Sequence, residues 1–303
     1  MLVTTHCHVL GPGALGGLFA FRLHALGFQV SLVARSPVSH QQELTLLTSD
    51  SEETIRFSIQ GPDAQESISL LWVTTKSYAT LEAVARLSHR FTAETLIVTL
   101  GNGMGYHSAL SARFPGRLIA GSTTAGCSSP NANTRKLAGE GETRLGWWDR
   151  ADTPPKWFEK LEQAPWCRHW EPRIENCLLE KLAINSVINP MTALLNITNG
   201  ELDNHRHKAA LDCAITEVAT IFRWSGHAEI AENLPNRVHH VISDTANNSS
   251  SMRIDRQRLS LTEHEEILGY LLGEFGGTVA QERPSTPLLS NWLTALRQPY
   301  PSP

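Results

Sequence analysis

The sequence predicts a doubly wound α/β domain at the N-terminus followed by an all-helical domain. Three observations carry this. A glycine-rich turn links a first strand to a first helix at the start of the chain. Apolar runs of strand length recur through the first half. From about Arg173 the apolar period becomes the 3.6 residues of a helix.

Leu2–Leu10 reads as the first strand, unusually polar at Thr4, Thr5, His6 and His8. It runs into GPGALGG, where Gly11, Gly13 and Gly16 fit GxGxxG. The amphipathic run ALGGLFAFRLHALG follows and ends at Gly27, a C-cap residue, and FQVSLVA reads as the second strand. This order of strand, glycine turn, helix and strand is the context a dinucleotide fingerprint requires. The glycines make the tight turn, admit the pyrophosphate and let helix and strand pack, and the helix N-terminus faces the anion. The alternative is an ordinary glycine turn.

The second strand ends VARS, so Arg35 stands where an acidic residue would bind a ribose 2′-hydroxyl. A guanidinium suits a 2′-phosphate, which points to NADPH; otherwise Arg35 is a solvated surface residue. SISLLWVTTKSY contains a buried-type strand, Ile68–Val73, with Lys76 just beyond it. TLIVTLGNGMG contains another, Thr95–Leu100, opening into Gly101-Asn102-Gly103. Ligands bind at the carboxyl ends of such strands, so Lys76 and Asn102 are candidates, against generic loop polarity. RLIAGSTTAG and GEGETRLG read as an antiparallel extension. Polar, proline-containing sequence around Asp152–Pro155 and a short helix, WFEKLEQA, close this half.

IENCLLEKLAINSVINPMTALLN is a long helix on its apolar period. Lys181, Asn185 and Asn189 recur every fourth residue and share one face, and Pro190 is expected to kink the helix just beyond them. Such a stripe either bonds a neighbouring helix or forms a site. A buried lysine without a partner is costly, which favours the site. LDCAITEVATIFRWSG and PNRVHHVISDTA read as further helices, with another from about Thr262 and a last one from about Pro287. Ser260 and Glu263 have capping-box spacing, the purely local reading of Glu263.

Composition excludes several function classes. The chain has 303 residues, 41% hydrophobic and 18% charged, with a net charge of −4, and carries no basic run for nucleic acid or membrane surface. No apolar stretch reaches the roughly 18 residues of a spanning helix, and MLVTTHCHVLG lacks the pattern of a signal peptide. Five cysteines, none in a CxxC pair, suit a reducing cytoplasm. His6 and His8, like His239 and His240, have no cysteine or carboxylate at metal-ligand spacing, so no metal site is expected.

The segments GPGALGG, VTTKSY, GNGMG, EKLAINSVINPMTALLNITNGEL and SSMRIDRQRLSLTEHEEILG, in this order, resemble those of the ketopantoate reductases (2-dehydropantoate 2-reductases). The resemblance implies a Rossmann-like NADPH-binding domain over 1–171. It implies an all-helical domain over 172–303, of the type found at the C-terminus of 6-phosphogluconate dehydrogenase, covering the cleft. The implied reaction reduces the ketone of 2-dehydropantoate to pantoate, toward pantothenate and coenzyme A. Matched motif by motif, Lys181 and Glu263 are catalytic. Asn102, Asn185, Asn189, Asn199 and Ser251 bind substrate. Gly11, Pro12, Gly13, Ala14, Leu15, Gly16, Arg35, Lys76 and Asn102 hold the cofactor.

Two other functions fit the same residues: a reductase of the same fold acting on another 2-oxo acid or related carbonyl compound, and a non-catalytic NADP-binding sensor. A sensor is expected to have lost Lys181 or Glu263, and both are present. The expected partner is a small 2-oxo acid. A homodimer is compatible with the sequence, which carries no readable mark of oligomeric state.

Overall fold

The computed structural model describes residues 5–37, 39–273, 275 and 282–298, so residues 2–4 of the predicted first strand lie outside the described residues. The chain divides into two compact units. One comprises residues 1–101 and 106–177, the other residues 102–105 and 178–303.

The first unit is built on a ten-stranded sheet. β1 (His6–Leu10), the glycine turn, α1 (Ala14–Ala25) and β2 (Gln29–Val33) appear in the predicted order. Gly27 closes α1 at φ +75°, a left-handed conformation that glycine adopts without steric cost. A hairpin follows, β3 (Gln41–Leu47) and β4 (Glu52–Gln60), which no sequence signal anticipated. Then come β5 (Ile68–Val73), α2 (Ser77–Ala85), β6 (Phe91–Thr99), α3 (Tyr106–Arg113), β7 (Leu118–Thr123), β8 (Gly126–Ser128), β9 (Thr134–Gly139), β10 (Thr143–Trp147) and the one-turn α4 (Phe158–Leu161).

The strand order is β10-β7-β6-β5-β1-β2-β4-β3-β9-β8. From β7 to β4 all neighbours pair in parallel. The expected antiparallel extension is thus half right: β10 pairs antiparallel with β7, but β7 itself joins the parallel sheet beside β6. Successive strands run outward in opposite directions from β1 and β5, so the carboxyl ends of those two strands form the topological switch point where open α/β sheets bind ligands.

Alternating side chains feed two cores. Cys7, Val9, Leu70 and Trp72 pack with Phe19 of α1 and Phe158 of α4. Leu10, Val33, Leu71 and Val73 pack with Val84 of α2 and Leu110 of α3. Both faces of the parallel strands are therefore apolar, as a sheet covered by helices requires.

The second unit is helical. α5 (Ile174–Leu195), whose first turn groups with the first unit, continues through Pro190 without stopping. α6 (Lys208–Trp224) and α7 (Ala228–Asp244) are joined by three residues. The sequence placed the start of α7 at Pro235, but the helix begins a full two turns earlier. The apolar stripe Ala231, Leu234, Val238 and Ile242 runs unbroken past the proline, and its burial outweighs one missing backbone bond.

α8 (Ser251–Gln257) starts with Ser250 as N-cap, its hydroxyl accepting from Arg253 N at 3.1 Å. A π turn (Glu265–Gly269) continues as α9 (Tyr270–Gly273), and α10 (Pro287–Arg297) ends the described fold. Proline at the first position suits α10, and the buried Glu217 of α6 accepts the N–H groups of Leu288 and Leu289 at 3.0 and 2.9 Å. Among the described residues no helix is long and apolar enough to cross a membrane.

Candidate active site

The glycine turn is shaped by contacts that leave no room for side chains. Gly11 has φ +83°, and a Cβ there would stand 2.9 Å from the Thr75 side chain. A Cβ on Gly16 would stand 2.3 Å from Gly11 O and 2.4 Å from Thr74 Oγ1. Thr74 Oγ1 donates to the carbonyls of Leu10 and Gly11, both at 2.9 Å, which ties the end of β5 to the turn after β1.

No side chain caps α1 at Gly13. The N–H groups of Ala14, Leu15 and Gly16 therefore have no partner inside the helix and face the switch point with its positive end. A buried residue that no motif announced holds the outside of the loop: Arg135 of β9 donates to Gly13 O at 2.8 Å and Pro12 O at 2.7 Å. Fixing those carbonyls keeps the opposite edge of the turn available to an anion.

Arg35 lies exposed just after β2, and Lys76 lies half-buried at the N-terminus of α2, just after β5. In the sheet β2 and β5 flank β1, so these two cations stand at the strand ends on either side of the glycine turn. This bare, N–H-rich turn between two cations fits a dinucleotide phosphate.

In the second unit, Lys181, Asn185 and Asn189 occupy one stripe of α5. Asn189 is 6% exposed, yet neither it nor Asn185 makes a side-chain hydrogen bond among the described residues. That argues against the stripe serving only to bond a neighbouring helix.

The other two asparagines of this segment have different work. Asn196 ends α5 at φ 54° and accepts from Arg253 Nε at 3.0 Å and Gln257 Nε2 at 2.7 Å. Asn199 donates to Thr245 Oγ1 at 2.9 Å, and its own N–H donates to Asn248 O at 3.0 Å. These bonds join the turn after α5 to the end of α7, while Asn199 Oδ1 is buried with no hydrogen-bond partner among the described residues. Ser251 opens α8 with no side-chain hydrogen bond among the described residues. Its neighbour Ser250 meets Thr192 Oγ1 at 2.7 Å, three residues beyond Asn189.

Glu263 is 4% exposed, and its Oε2 accepts from Asn102 Nδ2 at 3.1 Å. The capping-box alternative fails. Helix begins only at His264, and the Ser260 N–H donates instead to Asp255 O at 2.9 Å. The Asn102 loop is fastened at a second point, Met104 N to Glu266 O at 2.8 Å. Gly103, at φ +76°, lies so close that a Cβ would stand 2.5 Å from that carbonyl. Glu266 belongs to the π turn, a register found often at functional sites. Burial, with Glu263 and Glu265 nearby, pushes the Glu266 carboxyl up.

Burial also pulls the half-buried Lys181 ammonium from its ordinary value down to about 8, while the Glu263 carboxylate opposes the fall. The second unit thus brings together a tuned lysine, its counter-charge, a tethered amide and two unspent amides.

Two family models match, "Ketopantoate reductase PanE/ApbA" over residues 7–150 and "Ketopantoate reductase PanE/ApbA C terminal" over residues 173–296. The chain belongs to the ketopantoate reductase family. Among curated ketopantoate reductases, the 2-dehydropantoate 2-reductase of Vibrio cholerae is 33% identical over 271 residues, covering 87% of this chain and 88% of that protein. The enzyme of the same name from Escherichia coli O157:H7 is 34% identical over 266 residues, covering 87% and 86%.

The fold is shared with a probable 2-dehydropantoate 2-reductase of Bacillus subtilis, at TM-score 0.77 and 24% identity, covering 96% of this chain and 99% of that one. It is shared too with a D-mandelate dehydrogenase solved with NADH and anilino(oxo)acetate, at TM-score 0.78 and 19% identity, covering 96% and 97%. As a ketopantoate reductase family member with this glycine turn, the chain is an oxidoreductase that uses a nicotinamide cofactor.

Proposed function

We propose that this protein reduces 2-dehydropantoate to pantoate with NADPH, in the cytoplasm, as a step toward pantothenate. The observation that carries the reading is Lys181, lowered toward neutrality yet held charged by Glu263, on the same helix face as two unspent amides.

When bound, the nicotinamide supplies a hydride to the ketone carbon of the substrate. Lys181 Nζ holds a proton beside the ketone oxygen, stabilises the negative charge that develops there and transfers the proton to complete the new hydroxyl. With its pKa at about 8, the ammonium form predominates at neutral pH, and the proton is easier to give up than from an ordinary lysine. Glu263 keeps that ammonium in place and, through Asn102, fixes the loop that follows β6. Asn185, Asn189 and Ser251 grip the substrate's carboxylate and hydroxyl with neutral groups. Further charges there would move the lysine pKa. Asn199, held by its bond to Thr245 and with its amide oxygen left without a hydrogen-bond partner among the described residues, is assigned to the substrate with Asn185, Asn189 and Ser251.

The preference for NADPH is assigned to Arg35 and Lys76, which would hold the adenosine 2′-phosphate, with Gly11, Pro12, Gly13, Ala14, Leu15 and Gly16 holding the pyrophosphate. Losing one charge-assisted contact costs roughly 1.5–3 kcal/mol, about tenfold or more in affinity. Arg35→Ala is therefore expected to lower the NADPH-over-NADH preference by that factor, measured as the ratio of kcat/KM values. An unchanged ratio would remove Arg35 from the cofactor site.

The shared fold of the D-mandelate dehydrogenase favours a second reading, reduction of another 2-oxo acid. NADPH oxidation followed against a panel of 2-oxo acids, aliphatic and aromatic, separates the two. The first expects 2-dehydropantoate to give the highest kcat/KM. A higher value for an aromatic or unbranched 2-oxo acid selects the second.

A further inference from the structure

The polarity of β1 has no part in the chemistry above. His6 and His8 lie two residues apart and so face the same side of the sheet, while Cys7 and Val9 enter the core on the other. Glu66, in the connection between β4 and β5, stands against them. Its Oε1 is 3.2 Å from His6 Nδ1 and its Oε2 is 3.7 Å from His8 Nε2.

One nitrogen from each ring and a carboxylate oxygen all fall within 4.8 Å of one another. His8 is 1% exposed, and neither of its ring nitrogens has a hydrogen-bond partner among the described residues. Buried polar atoms left unsatisfied are rare and mark a missing partner. His6 Nε2 lies 2.9 Å from Ser31 Oγ; donation there leaves Nδ1 presenting its lone pair toward Glu66 and His8.

We propose that His6, His8 and Glu66 form a site for a divalent transition-metal cation of the zinc class, with a remaining position open to water. Two imidazoles and a carboxylate are a ligand set such ions favour. Bond lengths of about 2.0–2.2 Å place donors roughly 3.3–3.6 Å apart in a tetrahedral site. The cluster must therefore close by about an ångström at its widest, and Glu66, whose side chain is 42% exposed, can swing to do so.

The carboxylate is already oriented from behind. Gln60 Nε2 donates to Glu66 Oε2, and Arg90 donates to Gln60 Oε1 at 2.6 Å and to the Glu66 carbonyl at 2.8 Å. The guanidinium charge opposes a cation, but its donors are directed to these neutral oxygens. The ion would fasten the amino-terminal end of β1 to the β4–β5 connection, at the end of the strand away from the glycine turn. Its role would be structural.

The test titrates the full-length, tag-free, chelator-treated chain with Co²⁺ and Zn²⁺. One Co²⁺ per chain is expected, with a visible d–d absorption band that Zn²⁺ displaces, and Zn²⁺ raises Tm. His6→Ala and Glu66→Gln alter exposed or half-buried positions, so folding is retained by circular dichroism. Each should weaken Co²⁺ binding by ~10–100-fold or more, since loss of even a supporting partner costs that much, and should cancel the rise in Tm. His240→Ala, a surface histidine beside Asp244, should change neither. Absence of saturable Co²⁺ uptake, or uptake unaltered by His6→Ala and Glu66→Gln, would reduce the cluster to a histidine pair held by Glu66 alone.

Discussion

Lys181→Ala is expected to lower kcat by ~10²–10⁴-fold, the usual contribution of a positioned general acid, with cofactor affinity nearly intact. The substitution removes both the proton donor and the charge that stabilises the developing alkoxide. Cofactor affinity should hold because the glycine turn, Arg35 and Lys76, and not Lys181, are assigned to the cofactor's phosphates.

The pH profile makes the assignment sharper. The acid form of Lys181 is the active one, and burial has lowered its pKa to about 8. Ketone reduction in the wild type should therefore be flat below that value and fall as pH rises through it, whereas an ordinary lysine would hold activity past pH 10. Stopped-flow measurement of hydride transfer between pH 6 and 10 isolates this limb from product release. A profile without a limb near 8, or a Lys181→Ala enzyme that keeps most of its turnover, would take the acid role from this residue.

Much of this site follows from local pattern. The glycine turn lies between a strand and a helix in adjacent sequence, and the Lys181–Asn185–Asn189 stripe is visible because helical spacing converts a four-residue interval into a shared face. Sequence spacing fails where partners are far apart. Asn102 and Glu263 are separated by 161 residues, and only the fold shows that the carboxylate accepts from that amide and not from a capping serine.

Two further asparagines illustrate the same limit. Asn196 and Asn199 lie beyond the stripe, and only the fold shows that one ends the helix in a left-handed conformation and the other donates to Thr245. Arg135 and Glu217 were invisible for a related reason. Each neutralises backbone ends of a distant element, and nothing in their own neighbourhoods requires it. The hairpin β3–β4 escaped notice because its strands are largely polar and exposed, which weakens the alternation that reveals a strand. His6 and His8 appeared to lack a carboxylate only because Glu66 arrives from a connection some sixty residues away.

Glu263→Gln should keep the bond from Asn102, since a glutamine oxygen can accept it, and remove only the charge. The Lys181 pKa then loses the interaction that holds it up, and the alkaline limb should move below about 8. On the alkaline side each unit of that shift cuts the ammonium fraction, and hence the rate, about tenfold. Glu263→Ala goes further, because it also releases Asn102 and with it one of two fastenings of the loop after β6. The double variant Lys181→Ala, Glu263→Ala should lose less than the product of the single losses, as expected for groups that act as a unit. A residue that served only to cap a helix would behave differently. Its replacement would cost roughly 0.5–2 kcal/mol of stability, leave the pH limb where it was, and combine with Lys181→Ala by simple multiplication. Measuring the limb in Glu263→Gln, where folding is least disturbed, therefore decides between the two roles. An unmoved limb would sink the pairing of Glu263 with Lys181.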